Sequence, residues 1–211
     1  MASIPNGILG SFVGTAGNVS GYMRNGKNFI RSRRSKSSSP MTPARLAQQQ
    51  KIKVCNEFTK PFCGTGFFNR TFPAYGHSGT GFNRVTSAIM NLAITGDYPN
   101  IFLNYKKVLI SKGPLPEPEN ANVVRTGGGQ LLFSWEDNSN EGTARMDDKV
   151  ILVAFFPDLK QAIYSIGEAV RSDSNAILDI TVMKDFSAET WIGFLSADEK
   201  HSSCSSYCGR I

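Results

Sequence analysis

Leu131-Leu132-Phe133-Ser134-Trp135 places apolar side chains at alternate positions, the period of a strand with one buried face. Leu178, Ile180 and Val182 alternate in the same way with Asp179 and Thr181. Five further runs of similar length lie between turn residues: Asn122–Thr126, Lys149–Phe156, Gln161–Ile166, Thr190–Ser196 and Ser202–Tyr207. With Gln130–Trp135 and Ala176–Met183 they make seven short strands, the pattern of a β-sandwich. Gly127-Gly128-Gly129 supplies the turn before Gln130. The expectation is a two-layer domain over 121–211 that folds alone, with Trp135 as core anchor.

Upstream, Gly113-Pro114-Leu115-Pro116-Glu117-Pro118-Glu119 forbids both helix and sheet interior and marks 113–120 as a linker. Residues 42–112 form a mixed segment. Thr42-Pro43 reads as an N-cap with proline at the first helical position, and Pro61 as a stop, so a helix is expected over 43–59. A second is expected over 82–95, where Phe82, Val85, Ile89, Leu92 and Ala93 share a face before Gly96. Tyr105–Ser111 reads as a strand. Gly64-Thr65-Gly66-Phe67-Phe68-Asn69-Arg70 nearly repeats as Gly79-Thr80-Gly81-Phe82-Asn83-Arg84, which is either a structural echo or chance.

Residues 1–41 are spaced by glycines and contain Asn25-Gly26, the dipeptide of a two-residue hairpin. They predict a β-arm and basic linker with too few large side chains for a core. The expected fold class is thus mainly β with a small α-helical part: a glycine-rich arm, two helices and a C-terminal sandwich. Charge follows the same division. Residues 1–60 hold ten Lys and Arg against one acid, a balance of +9, whereas 121–211 hold eight against thirteen, a balance of −5. A basic head on an acidic body meets nucleic acid, an anionic surface, or the acidic end of another copy.

Two resemblances add to this. The body from Ala121 resembles a fibronectin type III or immunoglobulin-like sandwich, with Trp135 where that fold buries a second-strand tryptophan. The whole chain resembles an uncharacterised bacterial family, domain of unknown function 6266. The segments that carry it are Gly7–Gly14 with Gly17 and Gly21, Ile30-Arg31-Ser32, Thr42 with Gln48, Tyr98-Pro99, Lys107–Pro116, Phe133-Ser134-Trp135 and Lys149–Ala154. That resemblance implies an order of elements and no activity.

The materials of catalysis are thin, with two histidines and four cysteines in 211 residues. His201, Cys204 and Cys208 form the Cys/His cluster, but three such ligands at this spacing match no common zinc module, and Cys55 or Cys63 would have to complete a site. Cys204 and Cys208 sit about 13 Å apart in a straight strand and bond only if the chain turns between them. Glu136, Asp137, Glu141, Asp147 and Asp148 lack the order of a calcium loop and read as a solvated turn. No Gly-x-Ser-x-Gly elbow, phosphate loop or dinucleotide fingerprint occurs. No catalytic residue, metal or cofactor is expected.

The feature with functional weight is the basic arm: Arg24, Lys27, Arg31, Arg33, Arg34 and Lys36, close to Tyr22 and Phe29. These are candidate contacts for a polyanion or a protein partner, against the bland reading of a solvated linker. No apolar run approaches the roughly 20 residues that span a bilayer, and the start lacks a signal-peptide pattern. The expectation is cytoplasmic synthesis, reduced cysteines, and a final place in the cytoplasm or in a particle. The favoured function is a non-enzymatic structural or assembly subunit, as in phage, prophage or other bacterial assemblies, forming homo-oligomers or larger complexes through the arm. The alternative is a nucleic-acid-binding accessory protein using the same arm.

Overall fold

The computed structural model describes residues 3, 10–24, 26–33, 40–76 and 79–211. The chain divides into two compact units, Met1–Met41 and Thr42–Ile211. The first contains a three-stranded antiparallel sheet in the order β1 (Gly14–Ala16), β2 (Val19–Arg24), β3 (Lys27–Ser32).

The second unit opens with α1 (Pro43–Thr59), α2 (Phe67–Thr71) and α3 (Gly81–Leu92), then the short pair β4 (Ile94–Thr95) and β5 (Phe102–Leu103). Thr42 caps α1, its hydroxyl accepting the Arg45 N–H at 3.4 Å. The Gly-Thr-Gly echo is structural, because both copies lead into helices. Thr80 caps α3 by accepting the Asn83 N–H, and Thr65 accepts the Phe67 N–H at the start of α2. The helices lock together at Gly81, whose N–H donates to Asn69 Oδ1; a Cβ there would lie 1.9 Å from the Phe68 carbonyl oxygen. The chain therefore has three α-helices among its described residues where two were expected, the third being the five-residue α2.

Seven strands follow: β6 (Glu119–Thr126), β7 (Gln130–Glu136), β8 (Lys149–Phe156), β9 (Gln161–Val170), β10 (Asn175–Asp179), β11 (Glu189–Leu195) and β12 (Ser206–Arg210). They form a three-stranded sheet β10-β7-β6 and a four-stranded sheet β12-β11-β8-β9, both antiparallel. This is a fibronectin type III-like sandwich. β10 stops earlier than its apolar pattern suggests because Asp179 Oδ1 captures the Thr181 N–H at 2.8 Å and starts a 3-10 turn over Thr181–Met183.

β8 and β11 are buried on both faces. Val150, Leu152, Ala154 and Phe156 of β8, with Ile192 and Phe194 of β11, meet Leu131, Phe133, Trp135 and Leu178 across the sandwich. Ile151, Val153 and Phe155, with Trp191 and Leu195, point the other way into a second core. There they meet Cys55 and Phe58 of α1, Phe67 and Phe68 of α2, and Val85 and Ile89 of α3. The molecule is thus three layers deep here, and 42–211 is one unit rather than a mixed segment tied to an independent sandwich.

The intervening segment is correspondingly not a free linker. Tyr105–Lys107 is a 3-10 turn, and Val108, Ile110 and Ser111 are buried without joining a strand, because their backbone groups are taken elsewhere. The Val108 carbonyl accepts the Trp191 indole N–H at 3.1 Å, and the Ile110 N–H donates to the Ser205 hydroxyl at 2.9 Å. Gly193 makes room, since a Cβ there would stand 2.6 Å from Ser111 Oγ. The prolines then form a strap whose carbonyls accept side-chain donors: Pro116 from Arg171, Glu117 from Asn138 and Pro118 from Ser206. Residues 202–205 seat this strap, so the last strand begins at Ser206 and not at Ser202.

Arg171 lies fully buried beneath the strap. Its guanidinium donates to Asp148 Oδ2 at 3.1 Å and to Asn138 Oδ1 at 2.5 Å, and stacks 3.8 Å from the Phe194 ring centroid. Desolvation pulls its pKa below the usual arginine value, and Asp148 opposes that shift. Trp135 is buried edge-on to Phe194, and its indole N–H donates to the Arg171 carbonyl at 2.8 Å. On the other side Glu199 binds Arg70 and Lys149, each at 2.7 Å, and those two bonds hold its carboxyl below the usual glutamate range.

Two outcomes follow from this packing. A fragment of residues 119–211 exposes Phe155 and Trp191 to water and should lack a cooperative urea transition, whereas 42–211 should unfold in one; a sharp transition in the fragment would show the helical layer to be dispensable. Asp148→Asn leaves Arg171 as a buried uncompensated charge and should cost about 3–5 kcal/mol in the same assay, while a loss below about 1 kcal/mol would mean the guanidinium finds water.

Candidate functional site

The hairpin of the first unit follows from its sequence. β2 and β3 are joined through Asn25-Gly26, with Arg24 opposite Lys27, and Gly26 has φ +72°, the left-handed backbone that a primed two-residue turn requires. Register then sorts the side chains, because residues directly opposite, and those two apart, share a face. Tyr22 faces Phe29, Ser20 faces Arg31 and Arg24 faces Lys27, so three cations and two aromatic rings occupy one side. The rings lie 5.5 Å apart at 19°, and the Arg31 guanidinium stands 5.3 Å from the Tyr22 ring centroid. The Arg33 N–H continues the ladder by donating to the Asn18 carbonyl at 2.7 Å. Arg34 and Lys36 lie outside the described residues.

The opposite side carries Val19, Met23 and Ile30, exposed by 40%, 55% and 68%. At its centre Gly21 is buried under Phe12, where a Cβ would fall 2.9 Å from the ring and 2.2 Å from the Phe12 carbonyl oxygen. Composition does not announce this apolar face, because glycines dominate the segment. Its signal was the alternation within Val19–Arg24 and Lys27–Ser32, which places opposite chemistry on odd and even positions.

The second unit has concavities among its described residues. One groove of about 690 Å³ runs between α3 and the strap, lined by Phe72, Tyr75, Leu92 and Pro114. Its Arg84 is committed to structure, donating to the carbonyls of Phe72 and Gly79. A smaller pocket of about 450 Å³ contains Ser196, Asp198 and His201. The Ser196 hydroxyl donates to Asp198 at 2.6 Å and accepts the His201 backbone N–H, which holds the Asp198 carboxyl at about 2 and closes a turn. Its proton goes to a carboxylate of low pKa, a weak base, and not to an imidazole. The His201 ring stacks on Tyr75 instead. Cys204 and Cys208 are free thiols, and burial raises both pKa values, that of Cys208 to about 12. His77 lies outside the described residues. Among the described residues no group of three or more His, Cys, Asp or Glu could hold a metal ion, and no helix is long and apolar enough to cross a membrane.

The family model "Family of unknown function (DUF6266)" matches residues 11–209, from the arm to the last strand. The chain belongs to the DUF6266 family. No curated protein matches this DUF6266 member. Solved structures similar to it include the FN1–FN3 domains of chicken CNTN1, at 10% identity and a TM-score of 0.34, over 55% of this chain and 37% of that one. Another is the central fibronectin-III array of RIM-binding protein, at 13% identity and a TM-score of 0.31, over 46% of this chain and 37% of that one. The DUF6266 chain thus matches little more than a third of either array's length.

Gly21→Ala tests the hairpin's construction. It should make residues 10–33 rapidly cleavable in limited proteolysis while the thermal unfolding of 42–211 stays unchanged; protection equal to the parent would mean that Phe12 can move aside.

Proposed function

We propose that this DUF6266 chain is a non-enzymatic assembly protein that docks its N-terminal hairpin onto a second copy of itself. The observation that carries this is the exposed apolar face of Val19, Met23 and Ile30 on a sheet of three short strands. Two- and three-stranded ribbons of this size are marginal unless a face is packed on something. Full burial of a Val, Ile or Met side chain stabilises by about 1.5–3 kcal/mol.

Charge supports the choice of a second copy. The six cations of residues 1–41, with no acid among them, and the −5 of residues 121–211 attract between head and body of successive chains. Contact of one patch with a different patch on the next copy is heterologous, so it closes into rings or extends into filaments. That geometry suits a repetitive bacterial or prophage assembly. The non-enzymatic part is supported by the protonated thiols and by the commitment of the Ser196 hydroxyl to Asp198.

Light scattering coupled to size exclusion tests the proposal. The full chain should gain mass with concentration, whereas residues 42–211 and the double variant Met23→Ser, Ile30→Ser should stay monomeric. An unchanged monomer for the full chain across the concentration range would remove it.

A further inference from the structure

We infer that the cation-aromatic face of the hairpin, opposite the docking face, is a binding site for single-stranded nucleic acid. Arg24 and Lys27 face each other at the turn end, and Arg31 stands at the far end of the same side. Four strand positions separate the two ends, about 13 Å at the usual rise. Between them lie Tyr22 and Phe29, with 38% and 41% of their surface open. Directly opposed like charges disfavour a strand pair, and an anion bridging Arg24 and Lys27 relieves that repulsion. The arm has no means of its own to do so, because the first acidic residue in the chain is Glu57.

The ligand class follows from the combination. An acidic peptide would engage the three cations and leave the ring pair idle. A duplex would offer phosphates, but its bases are stacked inside and present no free π-face to the rings. A single strand offers both, phosphates for the cations and unstacked bases for Tyr22 and Phe29, without need of sequence preference. Because alternation separates this face from Val19, Met23 and Ile30, the inference is independent of the proposed self-docking.

Fluorescence anisotropy of the full chain with labelled oligothymidylate, a duplex of equal length and polyglutamate decides it, each across a salt series. Oligothymidylate should bind best, with a log–log salt slope of about −0.7 per phosphate neutralised. Replacing Arg24, Lys27 and Arg31 by serine should flatten that slope by about two units. Tyr22→Ala with Phe29→Ala should leave the slope unchanged and weaken binding at least about fivefold. Tyr22→Phe with Phe29→Tyr should restore it, which separates loss of stacking from loss of the hairpin. The Met23→Ser, Ile30→Ser variant should bind like the parent. No binding of oligothymidylate at low salt overturns the inference. So does polyglutamate binding as tightly as oligothymidylate with no effect of the ring substitutions, which would assign the face to an acidic protein surface.

Discussion

β8 from Val150 onward and β11 from Trp191 onward bury apolar side chains on both faces, and a sheet buried on both faces must be covered on both faces. Most of the second unit answers to that requirement. One face is closed by β10-β7-β6 and the other by three helices, with Trp191 reaching past the sheet to the Val108 carbonyl. The helical segment is therefore part of the sandwich's own hydrophobic closure, and residues far apart in sequence share one core.

The polar groups drawn inside by this three-layer packing are handled locally. Arg171, the largest buried charge, finds Asp148, Asn138 and the Pro116 carbonyl within reach, while its own carbonyl takes the Trp135 indole proton. Such a pair is weak evidence for net stability, because desolvating both ions offsets much of their attraction. Its physical effect is positional: the guanidinium has one set of partners, so the strap and the β7–β8 connection are held in one arrangement.

Much of this was legible in the residues. The helix over 43–59 was read correctly at both ends because Thr42, Pro43 and Pro61 are local signals. The strand over 149–156 was equally clear, whereas the burial of both its faces departs from the two-layer expectation, because the helices that cover the second face lie far upstream in sequence. What stayed hidden depends on distant partners. Val108–Ser111 looks like a strand, yet its hydrogen bonds go to Trp191 and to Ser205, and nothing near it in sequence announces them. The three prolines keep 113–118 out of helices and strands, although β6 already begins at Glu119, and exclusion from regular structure is not exclusion from a core, as buried Leu115 shows. In the arm the cations were visible as a cluster. The division of its two faces needed the strand register, with Arg24 opposite Lys27.

The strap and the arm differ in what they offer another polypeptide. Pro114, Pro116 and Pro118 have no N–H, so along that rim the chain cannot template an added strand, and its carbonyls are already engaged. β3 is the reverse: an edge strand of six exposed residues with no proline and its outer ladder positions unused by the sheet. A strand of another polypeptide would therefore find free backbone partners along β3, which the strap does not offer.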